Sequence, residues 1–232
     1  MAERAEASNI FETDNPERAL VATYVPADLR MALLSLLALD DVLSEVPRTT
    51  NEPALGQMRL VWWRDALIAL DTAPAPAQPV LRALESEVVP LGVSGTRLGD
   101  IAEGWAVLVE DEQLEADAMH DYARGRGGAL FECAGIALGD SDGAPLKQAG
   151  AGWALADLAR NLSDREAAER AAGLAQPMLD VALGRRWPAA LRALGAMAHL
   201  ARIDLKTGWN QPVAPGSPRR VARLAWHRMT GR

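Results

Sequence analysis

The sequence predicts an all-α fold, a single helical bundle, and three observations predict it. Apolar residues recur at helical spacing through most of the 232 residues. Alanine, leucine and arginine dominate, while the strand-formers isoleucine, phenylalanine and tyrosine are scarce. No segment of useful length alternates apolar and polar residues, and none repeats. A chain of this length builds one continuous core. Helices of ordinary length would number roughly eight to ten, in one domain over residues 1–232.

The elements follow in order. Residues 1–13 read as a loose N-terminal arm. Asp14-Asn15-Pro16-Glu17 starts a helix, with a capping side chain, proline in the first turn and early acids. Val25-Pro26-Ala27-Asp28 breaks it and begins the next. From Arg30, the residues Leu33, Leu34, Leu36, Leu37, Leu39, Val42, Leu43 and Val46 are apolar on nearly every face, the mark of a buried central helix that Pro47 should end. Leu55 to Leu70 is a second strong helix. Thr72 to Pro79 is a Pro/Ala linker. Helices are predicted over 80–88, 94–109, 114–138, 144–163, 165–183, 187–203 and 217–229.

A formal net charge of -7 argues against nucleic acid as a partner. One cysteine, Cys133, excludes an intrachain disulfide and sits among apolar helical residues. No run approaches the ~18 apolar residues of a membrane span, and the N-terminus lacks the apolar core of a secretory signal. A cytoplasmic protein is expected. Residues 217–232 form a basic C-terminal helix, with Arg219, Arg220, Arg223, Arg228 and Arg232 and no acid. They are a candidate for peripheral contact with the inner membrane or for docking, against the plainer alternative of a solvated terminal helix.

Two acid clusters could carry chemistry. Asp40 and Asp41 end the apolar stretch, and Glu45 lies one turn beyond Asp41 on the same face. Asp157, Asn161 and Asp164 form a stripe on a later helix. Carboxylates so placed could hold Mg²⁺, or each cluster could be a solvated face. Arg59 and Arg64, beside Trp62 and Trp63, could grip a phosphate or pair with nearby acids. Arg160 lies one turn before Asp164. The run from Tyr122 to Gly128 is glycine-rich but matches neither the P-loop nor the dinucleotide fingerprint, and close helix packing is its simpler use. His120, His199 and His227 lack zinc-ligand spacing.

At these residues the chain resembles the squalene/phytoene synthase family. Val25-Pro26-Ala27-Asp28-Leu29-Arg30 is similar to its Leu-Pro-x-x-x-Arg segment. Asp40-Asp41 stands where its first Asp-rich motif lies. Met58 to Arg64 resembles its Arg/Trp helix, and Gly127-Gly128-Ala129-Leu130 its Gly-containing mid-helix. Ala156 to Asp164 falls on its second motif. The resemblance implies an isoprenoid-synthase-like bundle, with both motifs facing each other across a cavity. Each would organise Mg²⁺ on a prenyl diphosphate, and two chains would join head to head. Carried over to this chain, it makes Asp40, Asp41, Glu45, Asp157 and Asp164 metal candidates, and Arg30, Arg59, Arg64 and Arg160 substrate-binding candidates.

The chain also departs from that pattern. Ser44 stands where the later Asp of the first motif belongs. Asn161 and Arg165 stand at the Asp positions of the second, with Asp164 shifted by one. Mg²⁺ is held mainly by anionic oxygens, so these losses weaken a metal site. The spelling around Glu52 to Trp63 is most similar to a divergent branch that includes the phytoene-synthase-like complex I assembly factor. The expectation is therefore a non-catalytic protein binding an isoprenoid or a protein partner. The alternative is an active Mg²⁺-dependent prenyltransferase.

Overall fold

The structure, a computed structural model, describes residues 15–232 apart from 51, 111–113 and 143. The expected arm over 1–13 lies outside the described residues. Those described form helices and no strand.

Helix α1 (Pro16–Ala22) starts where the side chain of Asn15 accepts from the Glu17 and Arg18 N–H groups, with Pro16 leading. Helix α2 (Arg30–Thr49) is the buried one. Leu33, Leu36, Leu39, Leu43 and Val46 lie out of solvent, each stabilising the fold by roughly 1.5–3 kcal/mol. The helix runs past Pro47, where an end was expected. A proline one turn from the end removes one N–H, and Thr49 Oγ1 donates to the Glu45 carbonyl at 2.6 Å in the same turn.

Helix α3 (Pro53–Ala69) packs on α5 (Gly95–Glu110), and the carboxylate of Asp71 accepts from the first α5 N–H groups at 2.6 and 3.3 Å. Between them lie α4 (Pro79–Glu87), capped by Gln78 on the Leu81 N–H, and a 3₁₀ turn at Val89–Leu91. The single helix predicted over 114–138 is three pieces in one rod: α6 (Ala116–Tyr122), a π turn at Ala123–Gly128, and α7 (Ala129–Ala137). Helix α8 (Leu146–Asn161) is central, packed by α7, the π turn, α9 (Arg165–Leu183) and α10 (Arg192–Thr207). The α10 start falls later than the predicted residue 187, because Pro188 and a 3₁₀ turn at Ala189–Leu191 come first.

Helix α11 (Pro218–Thr230) closes the chain and is docked rather than free. Arg220 is buried against Glu17, with both bonds at 2.7 Å, and against Asp204. Arg223 donates to the ring of buried His199, and Leu224 is fully buried. Two of the arginines that made this segment look like a surface anchor therefore point inward. Val221, Trp226 and Met229 stay exposed.

Glycines set the crossing that matters for function. A Cβ on Gly104 of α5 would strike the backbone of Arg126, and one on Gly127 would strike the Gly150 carbonyl of α8 and come within 2.7 Å of the Ala154 methyl. Only hydrogens fit there, so α5, the π turn and α8 meet backbone to backbone. That contact drives the Arg126 side chain into the centre of the bundle.

Candidate functional site

Arg126 joins the two acid motifs. Its Nε and Nη2 donate to the two Asp40 oxygens, both at 2.8 Å, and its Nη1 donates to Asp157 Oδ2 at 2.6 Å and to the Tyr122 hydroxyl oxygen. Trp105 Nε1 adds a bond to Asp40 at 3.0 Å. The guanidinium lies between two indoles, 4.2 Å from the Trp105 ring centre and 4.7 Å from that of Trp153. Asp40 and Arg126 are 4% and 3% exposed. Burial works against a charged guanidinium, but Asp40, Tyr122 and Asp157 outweigh it and hold the Arg126 pKa well above its ordinary value. Burial raises the Tyr122 pKa, keeping its hydroxyl protonated.

The expected site residues thus divide. Asp40 and Asp157 are brought together, through Arg126. Asp41 turns to the surface and pairs with Arg18 at 2.7 Å. Glu45 is exposed, 3.9 Å from Arg48. Asp164 caps α9, accepting from the Glu166 N–H at 3.0 Å. Arg30 closes the α1–α2 turn on the carbonyl of Ala22, Arg59 bonds Thr49 and Thr50, and Arg64 pairs with Asp65. Arg160 reaches the central cavity, where its Nη1 donates to the carbonyls of Trp209 and Gln211.

That cavity, of about 390 Å³, opens beside the Trp153 face of Arg126. A smaller one, of about 290 Å³, lies on the Trp105 side, and Ser44, Arg48 and Asp157 border both. The Trp105–Arg126–Trp153 stack therefore partitions the interior of the bundle. Among the described residues, five carboxylates and five arginines line the larger cavity. All five carboxylates are paired by three of those arginines: Asp40 and Asp157 by Arg126, Asp41 by Arg18, and Glu17 and Asp204 by Arg220.

Mg²⁺ held between the motifs needs several carboxylate oxygens free to turn toward one point. Here Arg126 takes both Asp40 oxygens and one from Asp157, and Asn161 donates to the other at 3.2 Å. Among the described residues no three carboxylate, histidine or cysteine side chains gather where a metal could sit. The donor set as arranged does not fit the ion. Nor, among the described residues, is any helix long and apolar enough to cross a membrane.

The sequence reading did not single out Arg126. Its signal was an arginine set among glycines in mid-helix, where a long side chain has no room to lie on a packed surface.

Comparison with known proteins agrees with this architecture. A family model described as squalene/phytoene synthase matches residues 13–228. Among solved structures, a dehydrosqualene synthase crystallised in complex with a ligand superposes with a TM-score of 0.70 at 15% identity, over 97% of this chain and 95% of that one. No curated protein gives a significant sequence match. The match to the family model spans nearly the whole chain, and the chain belongs to the squalene/phytoene synthase family.

Proposed function

We propose that this protein is a non-catalytic member of its family that keeps the central cavity as a binding site. The observation carrying this is the Arg126 guanidinium, which spans Asp40 and Asp157 and uses the oxygens that a metal would need. Diphosphate departure depends on a Lewis acid that gathers charge as the bond breaks. A guanidinium already saturated by two carboxylates and wedged between two indoles has no charge to spare for that. The resemblance to the assembly-factor branch supports the absence of catalysis, and an isoprenoid or related amphiphile is the proposed ligand.

The test is diphosphate release from farnesyl and geranylgeranyl diphosphate with Mg²⁺, against a protein-free blank and an active synthase. The expected result is no release above the blank. Sustained turnover overturns the proposal.

A second part concerns location. The exposed Val221, Trp226 and Met229 on α11 favour peripheral attachment of a cytoplasmic protein to a membrane or partner. Trp226→Asp/Met229→Asp should abolish sedimentation with vesicles containing anionic lipid. Unchanged sedimentation refutes the membrane arm.

A further inference from the structure

The arginines of the larger cavity are not all used. Arg18, Arg126 and Arg220 account for every lining carboxylate. Arg48 and Arg160 have no lining carboxylate as partner among the described residues. Among the described residues, the half-exposed guanidinium of Arg48 has as its ion-pair partner the exposed Glu45, at 3.9 Å. Arg160 spends Nη1 on two carbonyls and bonds no lining carboxylate. Both face the cavity, and Arg48 stands where the larger and smaller cavities meet. Leu37, Met197 and Leu200 give the lining its larger apolar side chains.

We propose that this cavity binds a single-chain amphiphile with a phosphate-monoester head without any divalent cation, the head held by Arg48 and Arg160 and the chain along the apolar residues of the lining. This rests on the reading of Arg126 as the resident cation between the motifs. Charge sets the preference. Two guanidiniums that no lining carboxylate bonds offer their donors to one phosphate monoester, of about −1.5 to −2, while five carboxylates against five arginines among the described lining residues leave no excess positive charge for the second phosphate of a diphosphate. Arginine also suits the task geometrically, because its fork of donors reaches two oxygens of one head.

Calorimetry of the full chain tests this, with farnesyl phosphate, dodecyl phosphate, farnesyl diphosphate and farnesol as probes, each in EDTA and in Mg²⁺. Farnesyl or dodecyl phosphate should bind in EDTA within about twofold of its affinity in Mg²⁺, and at least as tightly as the diphosphate. Either chain upholds the proposal, and the tighter one names the source of the tail. Farnesol should bind at least about tenfold more weakly, and Arg48→Gln and Arg160→Gln should each weaken the phosphate by about tenfold. Arg48→Gln keeps the result interpretable if loss of Arg160 loosens the loop it holds. A requirement for Mg²⁺, equal binding of farnesol, or unchanged affinity in both variants overturns it. Absent EDTA binding in a protein that releases no diphosphate defeats this inference alone. Diphosphate release in a protein that binds the monoester in EDTA defeats only the non-catalytic reading.

Discussion

Replacing Arg126 by methionine removes the cation that joins the motifs while keeping a long side chain between the indoles. Asp40, 4% exposed, then loses two charge-assisted bonds and keeps only the Trp105 N–H. The Asp157 side chain is 36% exposed and keeps the Asn161 amide, so water can replace much of what it loses. The cost is therefore mainly that of stranding one buried carboxylate, about 3–5 kcal/mol. In a chain of this size that corresponds to a fall of roughly 6–20 °C in melting temperature. Urea unfolding followed by helical circular dichroism at pH 7 measures it, as a lower midpoint at unchanged slope. Asp40→Asn/Arg126→Met should recover at least half of the loss, because the stranded charge is gone. A loss under about 1 kcal/mol in Arg126→Met would refute the reasoning, since Asp40 would then be hydrated without its partner.

Four further outcomes follow from the geometry. Asp41→Ala, adjacent in sequence to Asp40 but paired at the surface with Arg18, should change stability by less than about 1 kcal/mol in the same assay. Gly150→Ala should cost about 3 kcal/mol, because its Cβ meets the Gly127 backbone and leaves neither helix room to move. Burial, with Arg223 and other cations nearby, lowers the His199 pKa to about 2, and burial lowers that of His227 to about 4. The unfolded chain therefore takes up their protons first as pH falls below ~6.5, and each ring should remove about 2 kcal/mol of stability by pH 5; a flat unfolding midpoint between pH 7.5 and 5 would contradict this. Burial pushes the Cys133 thiol up to about 12, so Ellman's reagent should react with it only on unfolding.

The fold was legible because it depends on local periodicity. The apolar run from Leu33 to Val46 and the cap at Asn15 both appear as the spacing implied. Asp164, a metal candidate by its place in the second motif, serves in the structure as a helix cap. A carboxylate followed two residues later by Glu166, at the head of an apolar-periodic run, is a helix cap first and a ligand second. Arg126 was not legible. Its partners lie 86 and 31 residues away, and only the close backbone contacts at Gly104, Gly125 and Gly127 bring them within reach. The inward turn of Arg220 and Arg223 was hidden likewise, because a count of arginines reports charge and not the side of the helix that a bundle covers.

Arg126 is the cation that Asp40 and Asp157 of the two motifs share. Calorimetry with a non-hydrolysable farnesyl diphosphate analogue, titrated with and without Mg²⁺, tests it most directly. Mg²⁺ should change the affinity by less than about threefold. A rise of tenfold or more on adding Mg²⁺, worth about 1.4 kcal/mol, would mean that Asp40 and Asp157 release the guanidinium to take the metal, and would contradict it.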